Sequence, residues 1–303
     1  MQDGYYIHVG DGEKPKGIWR IENGTAERVG ITNPKGGPNS YVKAEPGEPI
    51  ADALGRTIPV WFGPEGKDTL RKLSLAPGEY FPRMARPSDQ HPYDRPGRCP
   101  GNMQTQNEIA TMQGQLIALT RELQSICQTV HPSPETFNTY GHKVRNLLIL
   151  ACTEVEAHWR GVLLANGIKE EKLDTRHYVK LASAMRLPEY AVSFSFYPWL
   201  KPIKPFEYWG MTGQPTKEIS WYDDYHAVKH DREQYFIKAN LSNAFHAVTA
   251  CAIMICAQFG KADGFGFQPE LTHFYALVAT PDWPLSDVYV YPYDKDATPK
   301  NYF

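Results

Sequence analysis

Four side chains near the start of the stretch from Ser220 to Phe259 have the types needed for acid–base chemistry on a phosphate: Tyr225, Lys229, His230 and Arg232. A histidine near neutral pKa can take a proton from a 2′-hydroxyl or give one to a leaving oxygen, and an arginine can stabilise the charge that develops between the two events. His230 and Arg232 are therefore the candidate catalytic pair, with Tyr225 and Lys229 as binding residues beside them. A second group, Arg145, Glu154, Glu156 and His158, lies on an earlier helical segment and is expected to face the first as further binding residues. Two positions apart on one helix, His230 and Arg232 point about 200° from each other, so they converge only at a helix break or across a dimer. The competing account of the same residues is structural, with Glu154 or Glu156 neutralising Lys229, Arg232 or Arg160 between two amphipathic helices.

Metal chemistry has a thinner basis. Glu154 and His158, and likewise His226 and His230, stand at i,i+4 spacing and so share a face. Cations at Lys229 and Arg232 oppose a bound metal, and no metal or other cofactor is expected. His246, on the apolar helix, reads as a hydrogen-bonded core residue. The motifs of P-loops, dinucleotide folds, serine hydrolases and zincins are absent. The R-x4-H spacing occurs at Arg86 and His91, inside a proline-rich loop that cannot place both side chains on one helical face.

The elements that must position these residues follow from pattern. Ser220 with Asp223 reads as an N-cap with an acidic first turn, so a helix is expected from Trp221. From Ala244 to Phe259 the chain is apolar on nearly every face, which marks a helix buried among others, with Lys229, His230 and Arg232 at its polar start. Thr139 to Asn166 carries the stripe Leu147, Leu148, Cys152, Val155, Trp159 and Val162 and stops at Asn166-Gly167. Ile109, Met112, Leu116, Leu119, Leu123, Ile126 and Val130 alternate spacings of three and four, the seam of a helix packed inside a bundle. Asp174 opens a shorter helix through Met185, and residues 188–215 form an inserted aromatic strand and loop.

The run Trp221, Tyr225, Val228, Lys229, His230 and Arg232, followed by Phe236, Ala239, Leu241 and Asn243, resembles the W-x3-Y-x2-VKH-x-R pattern of some bacterial HEPN-superfamily proteins. The run from Tyr140 to Asn166 is similar to the helix packed against it in those proteins. The resemblance implies a helical bundle, often dimeric, that binds or cleaves RNA or a nucleotide in a defence or toxin–antitoxin system, with an antitoxin or other protein as partner. The ribonuclease signature of that superfamily, R-x(4–6)-H on a helix, is not matched. Two functions are therefore carried forward. One is a HEPN-like RNA- or nucleotide-binding protein, a degenerate metal-independent endoribonuclease. The other is a non-catalytic module that dimerises through its bundle.

Around the bundle the composition changes. Residues 1–80 are rich in glycine and proline and read as a β-rich module, with Asn23-Gly24 as a hairpin turn and Thr57 to Phe62 and Leu70 to Leu75 as weaker strands. Residues 81–101 read as a proline-rich linker, 102–260 as the HEPN-like bundle, and 261–303 as short strands beside the N-terminal module. The fold class expected is α+β. A net charge of −2 over 303 residues gives no global basic field. The five cysteines form no C-x2-C pair and suit buried positions in a reducing compartment. The first residues carry no signal-peptide pattern and no window approaches a membrane span, so a cytoplasmic location without membrane contact is expected.

Overall fold

The computed structural model describes residues 1–63, 69–88, 103–290 and 297–303. They form a mixed α and β protein with two compact units. The first comprises Met1–Tyr80, Arg86–Pro100 and Asp282–Lys300; the second comprises Phe81–Ala85, Gly101–Pro281 and Asn301–Phe303.

In the first unit, strands β1 (Gly4–Val9), β2 (Pro15–Glu22), β3 (Thr25–Arg28), β4 (Tyr41–Lys43) and β5 (Leu70–Lys72) form an antiparallel sheet in the order β4-β3-β2-β1-β5. Asn23 and Gly24 both take positive φ, 50° and 72°, the left-handed pair that lets two residues join twisted strands. Side chains alternate between two cores. Tyr6, Trp19 and Ile21 face one with Leu54 and Phe62, while Ile7, Val9 and Ile18 face the other with Trp283, Leu285, Val288 and Val290. The first core is closed by α1 (Ile50–Thr57) and α2 (Pro59–Phe62). The strand expected over Thr57 to Phe62 is thus a helical turn: Pro59 at its first positions has φ already set for a helix and no N–H for a ladder. Strand β6 (Glu79–Tyr80) ends this part of the unit. Within the expected linker, Arg86 is buried with its guanidinium 4.6 Å from the Trp283 ring centre. Cys99 and His91, the latter one half of the R-x4-H match, lie outside the described residues.

The second unit is helical. Helices α3 (Met103–Cys127) and α4 (His142–Ala165) are followed by α5 (Thr175–Tyr178) and α6 (Lys180–Ala184), strand β7 (Ala191–Phe194), then α7 (Ser220–His230), α8 (Arg232–Tyr235) and α9 (Leu241–Phe259). Helix α9 is the centre, packed on by α3, α4, α7 and by α10 (Lys261–Phe265). By length and composition α9 could cross a membrane, which corrects the reading that no window does. Burial of its faces by neighbouring helices accounts for that composition without one. After α11 (Pro269–Phe274), the alternating run at Phe274 to Ala279 becomes β8 (Tyr275–Ala279). It pairs antiparallel with β7 rather than joining the N-terminal sheet. Val288 and Val290 pack on that sheet without being strand residues, and Tyr293 lies outside the described residues. The last strand, β9 (Thr298–Pro299), runs parallel to β6.

The stretch from Ser220 to Phe259, read as one helix with a polar start, is two main helices. Asp231 leaves the helical conformation at φ −139° and accepts from the Gln234 N–H, capping α8. Asn240 accepts from the Asn243 N–H at 3.0 Å and starts α9 anew. Asp224 fixes the reversal between them, accepting from Asn243 Nδ2 at 2.8 Å and pairing with Lys238 at 2.9 Å. Ser220 is not a cap: Ile219 holds that position and Ser220 is already helical.

Candidate functional site

Helices α4, α5 and α7 enclose a cleft of about 320 Å³, at the lower end of small-ligand sites. Each wall has a simple sequence cause. Tyr222, His226 and Lys229 recur at spacings of four and three along α7 and so share one face, while Trp221 and Val228 turn to the core. Glu156 comes from the matching face of α4. Asp174 caps α5 by accepting from the Arg176 N–H at 3.0 Å, which brings Thr175 and Tyr178 to the third wall. The Thr175 and Thr216 hydroxyls, 2.6 Å apart, tie that wall to the loop before α7.

Two hydrogen bonds and one ring contact set the charges. The buried Tyr222 hydroxyl donates to Glu156 at 2.7 Å, and burial followed by that carboxylate pushes the phenol pKa up, so it keeps its proton. The Lys229 ammonium donates to the Tyr225 hydroxyl at 3.0 Å, which raises its pKa and keeps it charged. His226 is half-buried, stands edge-on to Tyr222 at 4.6 Å between ring centres, and has its pKa lowered by burial first and by Lys229 and His230 after it; Glu156 and Asp223 oppose them. The cleft thus holds a neutral imidazole beside an ammonium at neutral pH.

The candidate residues divide between four places. Tyr225, Lys229 and Glu156 are in or against the cleft, with Tyr225 fully buried behind Lys229. His230 and Arg232 are exposed on either side of the break at Asp231, and neither has a hydrogen bond or ion pair among the described residues. His230 lies parallel to His226, ring centres 6.1 Å apart and planes within 6°. Arg145 shares the face of Glu156 but stands three turns away, about 16 Å along α4, and does not line the cleft.

Glu154 and His158 belong elsewhere, because two positions from Glu156 on a helix is the opposite side. His158 is buried against α9, where Gln258 Nε2 donates to its Nδ1 at 3.1 Å and Arg83 Nε donates to Gln258 Oε1 at 2.7 Å. Its Nε2 lies 3.6 Å from Glu154 Oε1. Burial, then the Arg83 charge, lowers its pKa to about 3, so it is a neutral core residue. The ion pairs expected of the structural account are not formed among the described residues. Glu156 takes the Tyr222 hydroxyl, Glu154 stands beside His158, and Arg160 donates to the Glu171 carbonyl. The two i,i+4 pairs considered for a metal, Glu154 with His158 and His226 with His230, do not meet; among the described residues no three His, Cys, Asp or Glu side chains converge as a cation site. His246 Nδ1–H donates to the Ser242 carbonyl at 2.8 Å, as a core histidine does.

Sequence reasoning singled out His226 only as half of a metal pair and passed over Tyr222, Thr175 and Thr216. The spacing Tyr222, His226, Lys229 and His230 was a usable signal for one helical face. Nothing local tied Thr175 or Thr216 to it. Neither a family model, nor a curated protein, nor a solved structure matches the chain.

Proposed function

We propose that the chain is a HEPN-like helical-bundle protein that binds RNA or a nucleotide at the cleft between α4, α5 and α7, as a degenerate metal-independent ribonuclease of a bacterial defence or toxin–antitoxin type. The observation that carries this reading is that Lys229, His230 and Arg232 are left unpaired with the carboxylates of α4 and lie at or beside a polar cleft. Lys229 and Arg232, if held only for packing, would be neutralised by the carboxylate on the facing side of α4, Glu156. Left in water, they are available to phosphate. A homodimer with a protein antitoxin is part of the same proposal.

Its test is fluorescence anisotropy with a labelled single-stranded RNA at a series of salt concentrations. Wild type is expected to bind with a negative salt slope. The double variant Lys229→Met, Arg232→Ala should bind more weakly, and each lost phosphate contact should flatten the slope by about 0.7. Absence of binding, or binding indifferent to salt and to both substitutions, would reject the reading.

A second reading, a non-catalytic module dimerising through the bundle, is favoured by one observation: Leu150 and Leu164 of α4 are 53% and 43% exposed. If that face joins two copies, light scattering should give a dimer mass for wild type and a monomer mass for Leu150→Glu, Leu164→Glu.

A further inference from the structure

We propose that His226, which lines this cleft, and His230, one turn further along α7 and exposed beyond the cleft lining, form an acid–base pair that cleaves single-stranded RNA by attack of the 2′-hydroxyl on the adjacent phosphorus. The inference rests on the RNA reading above and goes past it, because His226, not Arg232, becomes the partner of His230.

Geometry carries the assignment. The two imidazoles stand one turn apart on α7, parallel, with centres 6.1 Å apart. Groups that must reach the attacking and leaving oxygens of one phosphorus, each through a hydrogen bond of about 3 Å, stand apart by several ångströms. Neither imidazole is committed to a hydrogen bond among the described residues. Others in this unit are: His158 to Gln258, His177 to Asp174 at 2.9 Å and Glu170 at 2.6 Å, and His246 to Ser242. Lys229, on the same face, places an ammonium in the cleft that His226 lines.

The step balances without a metal or a redox partner. Neutral His226 takes the proton of the 2′-hydroxyl as the O2′–P bond forms. Protonated His230 gives its proton to O5′ as the P–O5′ bond breaks. The products are a 2′,3′-cyclic phosphate and a 5′-hydroxyl end. Hydrolysis of the cyclic phosphate runs the roles in reverse, with His230 accepting a proton from water and His226 donating to O2′. Lys229 stabilises the charge on the non-bridging oxygens throughout. The groups facing His226 are Glu156 from α4, Asp174 and Tyr178 from the α5 wall, and Tyr222, Asp223, Tyr225, Lys229 and His230 from α7 itself. Burial together with Lys229 and His230 outweighs Glu156 and Asp223, so His226 is the member poised as base.

The experiment uses the full chain, chelator and a fluorophore-quencher single-stranded RNA, with an all-deoxy oligonucleotide as control. Wild type should cut the RNA to a 2′,3′-cyclic phosphate end and leave the DNA intact. The rate should rise with pH as His226 loses its proton. His226→Ala and His230→Ala should each slow cleavage about 100-fold or more while RNA affinity stays within a few-fold. His226→Ala should also lose the acidic limb and regain rate with added imidazole. Should His226→Ala fail to fold, the exposed His230→Ala and the conservative His226→Gln decide the matter. RNA bound with a salt slope but left intact would overturn the pair and spare the binding reading; no RNA binding would overturn both. Wild-type rates in both single variants would also reject the pair.

Discussion

At the residue scale, charge state is decided by what each helix face meets. His158 and Glu156 are two positions apart on α4, yet one is a neutral imidazole locked to Gln258 and the other a carboxylate holding a phenol in a cleft. The His158 pKa, about 3, lies below the value near 6.5 of an unfolded histidine. Protons therefore bind the unfolded chain more readily. Stability from this group is complete above about pH 6.5 and is lost as pH falls toward 3, by up to about 1.4 kcal/mol for each pH unit. Urea midpoints between pH 3.5 and 7 should fall less steeply on acidification in His158→Gln than in wild type, by about one proton's worth of slope. Parallel curves would show that His158 is not the buried neutral group. Tyr222→Phe leaves the ring in place and takes the hydroxyl from Glu156. A loss of about 1 kcal/mol in denaturant unfolding is expected, with the pH–rate profile of any RNA cleavage shifted, since Glu156 then acts on His226 without its phenol partner.

At the element scale, the break at Asp231 and the new start at Asn240 turn one apolar-to-polar stretch into a cleft-lining helix and a central core helix. Asn240→Ala removes the acceptor of the Asn243 N–H and should destabilise the second unit by about 1 kcal/mol, read as a shift of the urea midpoint without a change of slope. An unchanged midpoint would mean that water caps α9 equally well. Helix α3 presents Ile109, Leu116, Leu119, Leu123 and Ile126 as buried residues to α4 and α9 of the same chain. Leu119→Asp buries a carboxylate without a partner there, and no folded protein should be recovered, as judged by circular dichroism. A folded monomer of that variant from a dimeric wild type would place the seam between copies instead.

At the scale of the whole molecule, the cleft is built entirely from the helical unit, while Leu54 sits at 0% exposure in the sheet unit's own core. Leu54→Ala is expected to cost about 2–5 kcal/mol through its cavity. RNA affinity of the folded protein should nevertheless remain at the wild-type value in anisotropy titrations. A loss of affinity in the folded variant would tie the sheet unit to ligand binding.

The sequence by itself determined what repeats at short range. The hairpin at Asn23-Gly24, the three-four seam of α3, the stripe of α4 and the all-round apolarity of α9 each encode which face is buried, because period and burial are the same fact. Tertiary structure decided what those periods leave open. Strand pairing is non-local, so β8 joined β7 and not the N-terminal sheet. Pro59 and its neighbours resolved into a helical turn over the sheet core, a choice their alternation alone did not contain. The site followed the same division. One face of α7 was legible as Tyr222, His226, Lys229 and His230, but the walls opposite came from Glu156, Thr175 and Thr216, far apart in the chain. Helical phase put Glu156 on the side of α4 opposite Glu154 and His158, but only packing decided which side met α9 and which met the cleft, and left His230 and Arg232 in water rather than paired with a carboxylate.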